Sequence, residues 1–197
     1  MNLPNRLTVI RILMVPLIIL VYIFPYAQFG IEMMSFDVGV VTLTMKNLVV
    51  LALFCIASFT DFLDGYIARK HKLITTFGKF ADPIADKMLI DVMFLLLLAD
   101  RKVPVVAVCL MIARDLIVDG CRMMASQNGI VVAAGSLGKL KTVLQIITVI
   151  LLMIGNLPFE LYGLPVDVFM VWFTTLVSLT SGYNYFQQMK EYIFESK

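Results

Sequence analysis

Four aspartates dominate the chemistry open to this chain. Asp61 and Asp64 stand three residues apart in TDFLDGYIARK, and Asp82 and Asp86 stand four apart in GKFADPIADK. Residues three or four apart share a helix face, so two antiparallel helices with a short connection gather all four carboxylates. That many negative charges in a small volume repel one another and resist desolvation; the cluster demands a cation. Oxygen-only donors, with no neighbouring Cys and only the loop residue His71, suit a hard divalent ion such as Mg²⁺ or Mn²⁺ rather than zinc. Such ions clamp phosphate oxygens, and a pair of them can stabilise both attacking and leaving oxygens. The residues therefore point to phosphate chemistry. Carboxylates at helix ends also serve as solvated caps or as partners of Arg69 and Lys87. Two facing pairs, with Gly65, Ala68 and Gly78 opening gaps beside the backbone for a flat ligand, favour the site over the caps.

The elements that carry these acids must lie in lipid. Of the 197 residues, 60% are apolar in the set AVILMFWYC and 15% are charged, against roughly 45–50% on a near-matching definition and about 25% in soluble domains. The mean hydropathy is +0.92. One core of this size cannot hide so much apolar surface from water, and disorder, a fibrous repeat and a disulfide scaffold are excluded with it. The net charge of +2 offers no bulk attraction to nucleic acid. Cys55, Cys109 and Cys121 lie in apolar runs without metal-type spacing and read as small buried hydrophobes.

A hydrocarbon core of about 30 Å takes roughly 20 helical residues to cross. Apolar runs near 7–26, 47–66, 80–99, 103–124, 138–157 and 164–186 predict an all-α polytopic protein with six transmembrane helices, forming a single membrane domain over 1–197. The second and third runs are the weakest, because they carry the carboxylates. No small-residue cleavage site follows the first run, which is expected to stay as an anchor. With six spans both termini share one side. Eleven basic residues fall on that side, from Arg6 and Arg11 to Lys197, and three fall opposite, Lys46, Arg101 and Lys102. The positive-inside rule then places both termini and the four aspartates at the cytoplasmic face of the cell membrane. Tyr22 and Tyr26 are expected in the outer aromatic belt.

The run Asp61-x2-Asp64-Gly65-x2-Ala68-Arg69-x8-Gly78-x3-Asp82-x3-Asp86 resembles the complete signature of the CDP-alcohol phosphatidyltransferase family, with every fixed position and spacing present. The resemblance implies a six-helix membrane enzyme, usually a homodimer, that joins a lipid-linked cytidine diphosphate to an alcohol and releases CMP. It makes Asp61, Asp64, Asp82 and Asp86 ligands of one or two Mg²⁺ or Mn²⁺ ions, with Asp86 also the base for the acceptor hydroxyl. Gly65, Ala68 and Gly78 would line the cytidine pocket, and Arg69 would hold the nucleotide end or the acidic cluster.

The acceptor has to be read elsewhere. ARDLIVDGCRMMA and SLGKLKT supply Arg114, Arg122, Lys139 and Lys141, a basic group suited to an alcohol that itself carries phosphate. Arg114 lies deep in its span and Lys139 in a Gly-flanked turn, which favours function. Arg122 and Lys141 fit ordinary positive-inside anchoring equally well, with Asp115, Asp119 and Arg122 as a self-neutralising stripe. The opening MNLPNRLTVIRILMVP, with the ARD, SLGKLKT and Gln145 segments, resembles the bacterial branch of the family. That resemblance implies CDP-diacylglycerol as donor and sn-glycerol 3-phosphate as acceptor, and Asn5 and Thr8 match its N-terminal pattern near the nucleotide pocket. Asp115 stands where that pattern leads one to expect Glu. Inositol phosphate or another alcohol is the alternative acceptor. An ion transporter is the rival from another class, although its acids would be spread through the membrane depth rather than gathered at one side.

Overall fold

The computed structural model describes residues 2–70, 75–127 and 135–194. Among them lie six α-helices: α1 (Leu3–Ile23), α2 (Met45–Lys70), α3 (Thr76–Ala99), α4 (Val105–Gln127), α5 (Ser136–Met153) and α6 (Val166–Phe194). Each of the six apolar runs falls on one of them. Three are long and apolar enough to cross a membrane on length and composition, over Asn5–Ile23, Ser136–Met153 and Val166–Lys190. The other three carry the four aspartates, Arg114 and Arg122; of the cysteines only Cys121 is buried, while Cys55 and Cys109 stand exposed on the helix surfaces. Outward-facing Leu13, Leu20, Leu116, Met123 and Leu176 are all more than half exposed, as side chains solvated by lipid rather than water must be.

The fold is not wholly helical. The connection between the first two helices holds a two-stranded antiparallel hairpin, β1 (Ser35–Val38) and β2 (Val41–Thr44), in the register Ser35↔Thr44 to Val38↔Val41. Its two-residue loop places Gly39 at φ +63°, a region glycine enters without steric cost. Thr42 donates to Asp37 across the strands at 2.7 Å. The Thr44 hydroxyl then accepts from the Asn47 amide at 3.4 Å, capping the start of α2.

Two compact units emerge. The first comprises Met1–Leu97 with Val149–Leu164, and the second Leu98–Thr148 with Pro165–Lys197. In the first unit α1 packs along α2. Lys46 at the start of α2 sits 4.5 Å from the ring centre of Tyr22 near the end of α1, so the two helices run antiparallel. Tyr22 is buried by this packing instead of standing in an interfacial belt. The buried stripe of α1 runs Thr8, Arg11, Val15, Ile18, Tyr22, alternating by three and four residues as one face of a helix does. Val15 and Ile18 of α1, Val50, Phe54 and Ala57 of α2, and Ala85, Leu89 and Met93 of α3 are all buried.

In the second unit α4 packs against α6. The middle of the buried face of α6 holds Thr174, Thr175, Ser178 and Ser181, small residues that let helix backbones approach closely. Thr148 of α5 and Thr174 share a hydrogen bond of 2.9 Å. Val118, Cys121, Ala125, Tyr185 and Met189 form an apolar cluster further along.

Candidate active site

The first unit builds an acidic site where α1, α2 and α3 meet. Asp61 projects from the last third of α2, and Asp82 and Asp86 from the first half of α3. Thr75 begins α3 by accepting from the Gly78 amide at 3.0 Å, an N-cap. That cap starts the helix well before Pro83, which therefore lies inside it and removes a backbone bond one residue after Asp82.

Arg11 occupies the centre of this site. Its Nη1 lies 2.8 Å from Asp61 Oδ1 and 2.6 Å from Asp86 Oδ1, with the arginine side chain 0% exposed and the two acids 42% and 34% exposed. One turn away on α1, Thr8 donates its hydroxyl to Asp82 Oδ1 at 2.6 Å. Asn5, one further turn along, accepts from the Thr75 hydroxyl at 2.8 Å. Gly78 fits closely among these groups: a Cβ there would lie 3.4 Å from Asn5 Oδ1 and 3.5 Å from Asp82 Oδ2. The spacing of Asp61, Asp82 and Asp86 thus marks out a real cluster. The side chains of Asp64, Ala68 and Arg69, and all of His71, lie outside the described residues.

Arg11 is the residue the sequence reading passed over. It stands inside the first apolar run, where the positive-inside rule treats it as one more basic residue of the cytoplasmic side. The signal was present: Asn5, Thr8 and Arg11 recur every three residues on one helix face, and an arginine within a span needs a buried partner.

These donors suit a divalent cation. Asp61 and Asp86 come from different helices yet reach a single positively charged nitrogen, so the backbone brings two carboxylates to a separation at which they share one cation. All the donors are oxygen, as Mg²⁺ and Mn²⁺ prefer, and both acids remain open to solvent. Among the described residues no three acidic, His or Cys side chains converge as a finished ligand set.

The second unit holds the basic residues. Asp115, buried on α4, accepts from Arg114 Nη1 at 2.5 Å and from the Lys141 ammonium. Arg114 Nη2 also donates to Ser181 Oγ at 2.8 Å. Arg122 lies over the Tyr185 ring at 5.6 Å, so Asp115 serves Arg114 and Lys141 rather than a stripe with Arg122. Lys139 is exposed. Gln145, buried, donates to Met111 Sδ at 3.7 Å. Arg114, Lys141 and Asp115 are thus brought together, while Arg122 and Lys139 stand apart from that network.

A helical chain with membrane-type apolar segments and carboxylates gathered from two helices suits phosphate-transfer chemistry at a membrane, and sequence comparison makes the class specific. The family model described as CDP-alcohol phosphatidyltransferase matches residues 1–180. The chain belongs to the CDP-alcohol phosphatidyltransferase family.

Among its relatives is a protein of Bacillus subtilis (strain 168) named "CDP-diacylglycerol--glycerol-3-phosphate 3-phosphatidyltransferase", 39% identical over 95% of this chain and 94% of that protein. Proteins of the same name from Rickettsia bellii and Rickettsia typhi are each 34% identical over 97% of this chain, covering 97% and 98% of their own lengths.

Proposed function

We propose that the chain transfers the phosphatidyl group of CDP-diacylglycerol to sn-glycerol 3-phosphate, giving phosphatidylglycerophosphate and CMP. The observation that carries this reading is the convergence of Asp61 and Asp86 on one cationic nitrogen, within a complete family signature and beside near-full-length relatives whose name states that reaction.

In this reading Asp61, Asp64, Asp82 and Asp86 hold one or two Mg²⁺ or Mn²⁺ ions. A metal held there would neutralise the diphosphate and draw charge toward the leaving CMP. Gly65, Ala68, Gly78 and Arg69, with Asn5 and Thr8, line the nucleotide end. Arg114 and Lys139 receive the acceptor's phosphate, with Arg122 and Lys141 in support, and Asp115 holds the fork of Arg114 in a fixed direction. Asp86 accepts the proton of the acceptor hydroxyl. The hydroxyl oxygen bonds to the phosphorus nearer the lipid, and the bond from that phosphorus to the oxygen shared with CMP breaks.

Each of the six helices has at least 18 residues, close to the roughly 20 that a bilayer requires. Together with the basic residues counted above, this supports six spans with both termini and the active site facing the cytoplasm. The family resemblance supports a homodimer in the cell membrane.

The test is CMP release by the purified protein in vesicles containing CDP-diacylglycerol, with Mg²⁺ or Mn²⁺ and one acceptor at a time. Glycerol 3-phosphate is expected to give CMP and a new phosphorylated lipid. Faster release with inositol phosphate, inositol or serine would overturn the acceptor; no release with any alcohol would overturn the reaction.

A further inference from the structure

One face of α1 meets three of the acids. Thr8 and Arg11 are 1% and 0% exposed and lie one turn apart. Thr8 reaches Asp82 Oδ1, and Arg11 reaches Asp61 Oδ1 and Asp86 Oδ1. Anchoring one oxygen of a carboxylate sets the plane of the group and hence the direction in which the other oxygen points. The stripe continues into Val15 and Ile18, both packed in the apolar interior, so this turn of α1 cannot rotate without opening the core. Three acids carried by two helices are therefore oriented from a third.

A buried guanidinium between two acids could either share the site with an incoming metal or be expelled by it. Burial decides between these. Arg11 has no exposed surface through which to leave, and moving its charge into surrounding apolar side chains or lipid is costly. A guanidinium is also the cation best suited to a buried ion pair, so it stays beside the acids it already holds.

We infer that Arg11, seconded by Thr8, is a positioning residue for the divalent cation: it holds Asp61 and Asp86 in the orientation that binds the ion and remains in place when the ion arrives. This rests on the metal-dependent reading above. Groups that hydrogen-bond metal ligands from behind typically contribute about 10–100-fold to metal affinity.

The experiment is a Mn²⁺ titration followed by electron paramagnetic resonance, on the full chain in phosphatidylcholine nanodiscs without substrate. Arg11→Gln is expected to weaken Mn²⁺ binding by about 10–100-fold, Arg11→Lys to recover part of that loss, and Thr8→Val to show a smaller loss. Melting temperatures measured in chelator identify any variant that has not folded. If Arg11→Gln fails to fold, Arg11→Lys and Thr8→Val still carry the comparison. Affinity equal to wild type in the folded variants overturns the inference, because a purely architectural arginine would alter melting and leave Mn²⁺ binding alone. Tighter binding in Arg11→Gln also overturns it, since Arg11 would then be a competitor. If the unaltered protein binds no Mn²⁺, the metal reading itself falls and this inference with it.

Discussion

Gly182 lies directly under Arg114. A Cβ at that position would meet Arg114 Cγ at 2.7 Å and Nε at 2.9 Å, so the arginine crosses α6 only because the residue beneath it has no side chain. Ser181, next in line, accepts from the same guanidinium.

Gly182→Ala is accordingly expected to displace Arg114. The Michaelis constant for glycerol 3-phosphate should rise about tenfold, equivalent to roughly 1.4 kcal/mol, with kcat changed much less. Stability should move little. The gain of about 1 kcal/mol in helix propensity offsets part of an overpacking cost of about 1–3 kcal/mol. Steady-state kinetics at saturating CDP-diacylglycerol checks the split, and an unchanged constant would remove Arg114 from the acceptor site.

Asp115 faces two cations inside the second unit. Asp115→Asn leaves Arg114 and Lys141 in place of a balanced group, and breaking such a buried pair typically costs about 3–5 kcal/mol. The double variant Asp115→Asn with Lys141→Met should be less destabilised than Asp115→Asn alone, because one of the stranded charges is gone. Thermal unfolding in detergent distinguishes the two; a double variant that melts lower than the single would argue against the pairing.

Asp82→Asn keeps an acceptor for the Thr8 hydroxyl but removes a negative charge from the acidic site. The expected loss in kcat is roughly 10²–10³-fold, the scale seen when one electrostatic group at a reacting centre is lost. Treatment with chelator should abolish CMP release in the unaltered protein, and Mg²⁺ or Mn²⁺ should restore it. Full activity in chelator would contradict a metal role for these aspartates.

Thr174→Val removes one partner of the bond that ties α5 to α6. Within membranes such bonds contribute about 0.6–2 kcal/mol, so a modest drop in melting temperature is expected with activity retained. Adding Thr148→Val should cost little more. Additive losses would show that the two hydroxyls act independently.

The four-aspartate pattern could be read without coordinates because it is local. Pairs three or four residues apart share a face of any helix, whatever that helix packs against. The same holds for the six apolar runs, which lipid requires and which each fall on a helix. The hairpin over Ser35–Thr44 leaves a trace in VGVVTLT, which alternates as a strand does and carries its glycine at the loop, but hydropathy shows this segment only as the gap between two apolar runs.

What local pattern could not supply is which side chains meet across long stretches of chain. Thr8 and Asp82 are 74 residues apart and Arg11 and Asp86 are 75 apart; Lys141 and Asp115 are 26 apart. Hydropathy treats Arg11 as a charge near the start of an apolar run and Asp115 as one member of a helical stripe. Packing turned the first inward onto two carboxylates and gave the second a lysine from another helix. A charge buried in a low-dielectric interior must find its opposite, and only the folded chain determines which residue that is.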